Sequence, residues 1–575
     1  MKFYQYICAC CPGKYGWIVW FLVAMLVPNL ILVCTEPYGF TTCMASLLLP
    51  AAFYLLWALM IPCTGKMILW ALPFMVLAAF QIVISFLFGN SIVAVDMFTN
   101  LFTTNPTEAG ELLASIYPAV IFVCLLYLPL LIGAVRSVRK KDRLEPVYRK
   151  RLAVVAVVLG CMGTGAAVVS GMRNPGFAFQ YHIFPVNVCY NMRLAVARWE
   201  QSLGYFETSE GFRFNARKAW TDNQREVFVL VIGEASRASS WSLFGYGRET
   251  TPRMSAMRGL VPFRDVLTQS NTTHKSVPIL LSPCSAENYD SIYKCKSIVT
   301  LFREAGFRTA FISNQPANKS LTEFFASEAD ETVDITLKNG SYENRYDGEM
   351  IPELRRILFS SSDPLFVVVH MYGSHVNHSK RYPKEFARFL PDEAPSVSLK
   401  HRDKIVHAYD NSIYYTDHVL AEIISLLEES SARTALLYCS DHGEDLLDDR
   451  RGRFLHASPT TTYYQLHTAA FAWFSAEYME MYPEKLAAAS DNSWAAATTA
   501  AVFHTLGDLA DIECDYLNKA QSLVNSYWED LPRMYISDYN KAVPVLNTGL
   551  TEEDFGMFDR YGIRYNRQEI EKIKY

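Results

Sequence analysis

Lysine and arginine are missing from two long stretches, residues 15–65 and 67–135. A soluble fold of that size needs a charged surface, so their absence excludes an ordinary globular reading of this fifth of the chain. Charge is scarce elsewhere too: charged residues are 19% of the 575, against 51% hydrophobic ones. The formal net charge of -5 leaves no global basic field of the kind nucleic-acid binding exploits. No internal repeat or long low-complexity tract is present, which excludes solenoids and disordered scaffolds. No small-residue cleavage site follows the first apolar run before the second begins, so that run does not read as a removable signal peptide.

What fills the uncharged stretches is a series of apolar runs near Trp17–Cys34, Cys43–Cys63, Met67–Phe88, Leu112–Val135 and Leu152–Val169. Each is about the ~20 residues needed to cross a bilayer as a helix, and five are predicted. Basic residues crowd instead into RSVRKKDRLEPVYRKR at residues 136–151. The positive-inside rule makes that loop and the N-terminus cytoplasmic and everything after Val169 external. In a bacterium with two membranes, the expectation is a multi-pass inner-membrane protein with a periplasmic C-terminal part. Residues 173–225 read as an amphipathic linker.

From Glu226 the texture changes. EVFVLVIGE, FRTAFISN, PLFVVVHMYGSH and TALLYCSDHG are short β-branched runs ending in polar clusters, separated by helical patterns such as residues 297–305 and 405–429. This predicts an α/β domain with a mainly parallel sheet. The expected division is a transmembrane domain over 1–172, the linker over 173–225 and a catalytic domain over 226–575.

In parallel sheets ligands bind beyond the carboxyl ends of the strands. LLYCSDHGED delivers Asp441 and His442 at such an end, and VFVLVIGEASR delivers Glu234. Oxygen and nitrogen ligands of this kind suit a divalent transition metal, zinc before manganese. A hydroxyl near such a metal can lose its proton and act as a nucleophile. The TQSNTTHKSVP stretch offers Thr272, Thr273 and Ser276, which spacing alone does not rank.

The segments VIGEASRASSWSLFGYGRETTP, TTHKSVP, HMYGSH with the following KRYP, HAYDNSIYYTD and SDHGED occur in the order found in bacterial phosphoethanolamine transferases of the alkaline phosphatase/sulfatase superfamily, which this chain resembles. The resemblance extends over the membrane half. It implies a sulfatase-like catalytic fold, with Glu234, Thr273, Asp441 and His442 as zinc ligands and Thr273 as nucleophile. It implies further catalytic roles for His375 and His456, and headgroup binding by Asn100, Thr104, Glu108 and Lys319. A family serine near that lysine is replaced here by Pro316. The cysteines that bracket the nucleophile in some relatives are replaced by Gln269 and Ile279. Among the external cysteines, Cys284 and Cys295 form the best candidate pair, Cys439 reads as a free buried thiol, and Cys8, Cys10 and Cys11 read as reduced cytoplasmic thiols.

The function implied is transfer of phosphoethanolamine from phosphatidylethanolamine to an envelope glycolipid or glycan through a phosphothreonine-type intermediate, with release of diacylglycerol, by a membrane-embedded monomer with no nucleic-acid partner. A phosphoglycerol transferase of the lipoteichoic-acid-synthase type and a non-catalytic membrane-anchored sensor are the alternatives. A sulfatase activity is disfavoured because no C/S-x-P-x-R motif is present.

Overall fold

The computed structural model describes residues 14–36, 38–88, 92–103, 110, 113, 116–174, 177–219, 224–338, 341–342 and 345–566. The chain divides into two compact units: Met1–Phe98 with Ile116–Val196, and Thr99–Ser115 with Ala197–Tyr575.

The first unit is helical. Helices α1 (Lys14–Thr35) and α2 (Phe40–Met60) are followed by a pair, α3 (Thr64–Trp70) and α4 (Leu72–Phe88), and then by Tyr117–Lys140 and Pro146–Arg173. Four of these helices are long and apolar enough to cross a membrane, or five if the pair counts as one span. The pair is bent by 55°, and the cause is local: Pro73 has no N–H to give to the carbonyl four residues back, and its ring disfavours helical geometry at Leu72. Large apolar side chains such as Val76, Leu125 and Val154 face outward, as a lipid-facing surface requires.

The second unit is built on a seven-stranded sheet. In chain order its strands are β1 (Glu226–Gly233), β2 (Leu260–Phe263), β3 (Arg308–Ser313), β4 (Glu331–Asp334), β5 (Leu365–His370), β6 (Arg433–Ser440) and β7 (Ala470–Phe474). Their spatial order is β2-β7-β6-β1-β5-β3-β4. The five strands from β6 to β4 are parallel, and β7 runs antiparallel to both its neighbours, so the sheet is mixed at one edge. Strands β1, β5 and β6 are buried along their whole length. Their unbroken apolar runs, rather than an alternating pattern, follow from burial on both faces.

Register aligns the strand ends. Gly233 pairs with Ser440, Ile232 with His370, and Ser313 with His370. The next residues of four strands therefore emerge along one edge, and the site forms there.

Candidate metal and nucleophile site

Three strand exits supply the first groups. Glu234 follows β1, Asp441 and His442 follow β6, and Gln315 follows β3. Thr273 opens the helix Thr273–Leu280, with Thr272 as its extended N-cap residue. Thr273 Oγ1 lies 3.4 and 3.3 Å from the two Glu234 oxygens and 3.2 Å from His442 Nε2. Asp441 Oδ2 lies 3.2 Å from His442 Nε2. The structure thus brings together Glu234, Thr273, Asp441 and His442. Of the three hydroxyls that spacing left unranked, Ser276 instead turns back to the Thr272 carbonyl and Thr272 bonds Ser270.

The surroundings orient each group. His442 Nδ1 donates to the Gly443 carbonyl at 2.9 Å, so Nε2 presents its lone pair to the cluster. Asp441 Oδ1 accepts from the backbone N–H groups of Ala235 and His442, which leaves the buried Oδ2 without a hydrogen-bond partner. Burial pushes the Asp441 carboxyl up to about 6 and the His442 imidazole well below its ordinary value. Gln315 Nε2, which bonds Glu234 Oε2 at 3.3 Å and the Met371 carbonyl at 3.0 Å, steadies the carboxylate from the other side.

Glycine permits one close approach here. Gly373 has φ +49°, and a Cβ there would stand 2.9 Å from both the backbone nitrogen and the backbone oxygen of Glu234. The turn after β5 can lie against the turn after β1 only without a side chain at that position.

The two other histidines named from sequence lie in different settings. His456 brings a ligand atom within 4.8 Å of those of Glu234 and His442, and its ring centroid is 4.1 Å from that of His442. His375 stacks on Tyr372 at 4.8 Å. Burial, reinforced by the Arg381 charge, pushes its imidazole down to about 3, and its Nδ1 has no hydrogen-bond partner.

Asn100, in the helix Val95–Thr103, places Oδ1 3.0 Å from His274 Nδ1, beside the candidate nucleophile. Thr104 and Glu108 lie outside the described residues, as do Cys8, Cys10 and Cys11. Lys319 is exposed, with φ +56°, and lines a cleft with His274, Lys275 and Arg198. Cys284 and Cys295 are free thiols whose sulfurs are 3.6 Å apart, beyond the ~2.05 Å of a disulfide bond. Cys439 is a free, buried thiol.

Three residues around the site were not singled out from sequence: Gln315, His378 and Glu444. His378 Nε2 bonds Glu444 Oε1, and Glu444 Oε2 is 3.6 Å from His456 Nδ1. Burial alone would raise the Glu444 carboxyl, but His378 and His456 hold it down, at about 2. Glu444 stands inside the SDHGED run, and that position was its one local signal. The HAYDNSIYYTD motif proves to be scaffolding on the helix Arg402–Glu429. Tyr409 donates to the Ala235 carbonyl and accepts from Arg237 N–H, fixing the turn that carries Glu234.

Comparison with known proteins adds the family. Residues 226–512 match the sequence profile of the family described as Sulfatase. The chain carries a sulfatase-family domain. Phosphoethanolamine transferase EptC of Escherichia coli strain K12 is 24% identical over 470 residues, covering 77% of this chain and 79% of the relative. Phosphoethanolamine transferase CptA of Salmonella typhimurium is 23% identical over 471 residues, with the same coverage. Among solved structures, the integral membrane lipooligosaccharide phosphoethanolamine transferase A of Neisseria meningitidis aligns with 88% of this chain and 98% of its own, with a TM-score of 0.69 at 20% identity. The periplasmic domain of Escherichia coli EptC, solved in complex with Zn, aligns with 60% of this chain and 98% of its own, with a TM-score of 0.54 at 24% identity. The apolar helices followed by a sulfatase-like α/β domain are thus the architecture of these proteins.

The donor set fits a divalent cation. The sulfatase-family site gathers two carboxylates, an imidazole lone pair and a hydroxyl, and the unpartnered Asp441 Oδ2 is a buried oxygen that a cation would satisfy.

Proposed function

We propose that this chain is a phosphoethanolamine transferase that takes the headgroup from phosphatidylethanolamine and passes it to an envelope glycolipid or glycan. The observation that carries the reading is the Thr273 hydroxyl, held 3.2–3.4 Å from His442 Nε2 and both Glu234 oxygens at the carboxyl edge of the sheet. The likeness, over 77% of the chain, to proteins named phosphoethanolamine transferases supports it. Glu234, Thr273, Asp441 and His442 would hold zinc, which when bound supplies charge to lower the hydroxyl's pKa and to offset negative charge on the phosphoryl group.

The chain's own groups then do the following. Thr273, at a helix start, directs its hydroxyl toward the Glu234 carboxylate at 3.3 Å, and the proton that Oγ1 gives up is passed to the departing glycerol oxygen. Oγ1 forms a bond to phosphorus while the bond from phosphorus to the glycerol oxygen breaks, and diacylglycerol leaves. In the second displacement an acceptor oxygen bonds to phosphorus while the bond from phosphorus to Oγ1 breaks, and the acceptor's proton passes to Oγ1, which regenerates Thr273. His375 and Lys319 provide donors for the phosphoryl oxygens, His456 takes and returns the proton exchanged in the two displacements, and Asn100, Thr104 and Glu108 receive the ammonium end. The transmembrane part confines the site to the surface where the donor lipid is concentrated. The basic loop over residues 136–151 supports a cytoplasmic N-terminus and a periplasmic catalytic part by the positive-inside rule.

Purified full-length protein incubated with phosphatidylethanolamine carrying a labelled headgroup, plus envelope glycolipid, tests this. Transfer of the label with stoichiometric diacylglycerol, abolished in Thr273→Ala, is expected. Transfer from phosphatidylglycerol and not from phosphatidylethanolamine would overturn the donor assignment, and no transfer from either would overturn the activity.

A further inference from the structure

We propose that Glu444 is a positioning residue that fixes the His456 imidazole for group transfer, and that His378 in turn holds Glu444. The inference rests on the transferase reading above and assigns roles to two residues that reading does not use.

The geometry is a chain of three buried or nearly buried groups. One Glu444 oxygen is engaged by His378 Nε2, and the other faces His456 Nδ1 at 3.6 Å. Glu444 is fully buried, and the His456 side chain is 15% exposed. Glu444 Oε2 and His456 Nδ1 have no hydrogen-bond partner, and they face each other at 3.6 Å. A contraction of a few tenths of an ångström makes the bond, and catalytic-site hydrogen bonds commonly shorten once substrate is bound.

The chemistry of the pair is directional. An ionised carboxylate only accepts, so facing Glu444 selects the His456 tautomer with hydrogen on Nδ1. The opposite ring nitrogen then carries the lone pair, and one His456 nitrogen lies within 4.8 Å of the ligand atoms of Glu234 and His442. A carboxylate behind a histidine fixes both ring orientation and tautomer, the arrangement that supports histidines at metal sites and in acid–base triads.

His378 is itself fixed. It sits on the short turn His378–Lys380, after Asn377 in the left-handed region. Its ring meets Tyr409 edge-on at 5.2 Å and Phe454 at 6.3 Å. Tyr409 belongs to the scaffold of the Glu234 turn, and Phe454 lies two residues before His456. The wall that sets His378 is therefore continuous with both ends of the site.

A double-mutant cycle tests the proposal, using full-length protein with Glu444→Gln, His456→Asn and the pair together. Glu444→Gln is expected to lower kcat by about 10–100-fold with KM changed only a few-fold. In the His456→Asn background the same change should cost less than about 2-fold, because the residue through which Glu444 acts is already gone. Equal losses in both backgrounds, or no loss in Glu444→Gln, would overturn it. The same cycle read as zinc affinity, by titrating metal-stripped protein, uses no transferase activity. Glu444→Gln should weaken zinc binding about 10-fold or more with His456 present and little without it. If the wild type transfers nothing, the transferase reading falls and the zinc cycle alone decides this proposal. Should Glu444→Gln fail to fold, His378→Asn loosens the carboxylate without removing it and is read by the same two measurements.

Discussion

Thr273 Oγ1 stands 3.2 Å from His442 Nε2 although 169 positions separate the two residues in the chain. The parallel register of β1 and β6 places Glu234 and Asp441 level with one another, and the helix that begins at Thr273 carries the hydroxyl to them. Three observable consequences follow from that convergence, and a fourth comes from a buried carboxylate elsewhere.

Removing the hydroxyl removes the group that bonds to phosphorus. Thr273→Ala should lower transfer by at least about 10³-fold while leaving the melting temperature within a few degrees. Thr273→Ser keeps the oxygen and should retain measurable turnover. Steady-state transfer assays beside thermal melts of both variants check this.

Removing metal should act on stability as well as on turnover, since a cation that binds only the folded chain stabilises it by mass action. Chelation is expected to abolish transfer and lower the melting temperature, and zinc to restore both. In Glu234→Gln and Asp441→Asn the zinc-induced rise should shrink or vanish. A melting temperature that never responds to zinc in the wild type would count against a cation in this cluster.

Gly373→Ala puts a methyl group against the Glu234 backbone at a left-handed position. A destabilisation of about 1–3 kcal/mol is expected, with weakened zinc binding because the carboxylate shifts. Denaturant unfolding and metal titration of the same sample separate the two effects.

A pH dependence comes from Asp417, away from the cluster. Its carboxylate accepts from the N–H groups of Arg253 and Met254, yet burial outweighs these and pushes its pKa up to about 6 from 3.8. The folded state therefore holds this proton more tightly than the unfolded chain. Stability is unaffected below about pH 4 and is lost progressively as pH rises through 6. Relative to Asp417→Asn, which cannot titrate, the wild type should lose up to about 3 kcal/mol between pH 4 and 7. Paired unfolding curves across that range measure it, and a constant difference would refute the assignment.

Much of the fold was legible because its signals are local. The unbroken runs EVFVLVIG, LFVVVH and RTALLYCS mark buried strands, and each ends at a polar switch that reaches the site. Asp441, His442 and Glu234 could be read as candidates for that reason. Ranking Thr273 over Thr272 and Ser276 could not, since the choice depends on which hydroxyl leaves the helix start toward residues far away in sequence. His378 and Gln315 gave no local sign: each matters through a contact, to Glu444 or to Glu234, that only the packed sheet creates. The bend between Trp70 and Leu72 was written in Pro73 but lay hidden within an uninterrupted apolar run. The antiparallel β7 was missed because a strand's direction is not encoded in its composition.

The central claim is that Thr273, gathered with Glu234, Asp441 and His442, accepts the phosphoethanolamine group. Rapid quenching of full-length protein with phosphatidylethanolamine and no acceptor, followed by peptide mass spectrometry, tests it most directly. The account predicts the mass of one phosphoethanolamine group on Thr273, present in the wild type and discharged on adding acceptor. Diacylglycerol release and steady transfer with Thr273 unmodified, or the adduct on another residue, would contradict it.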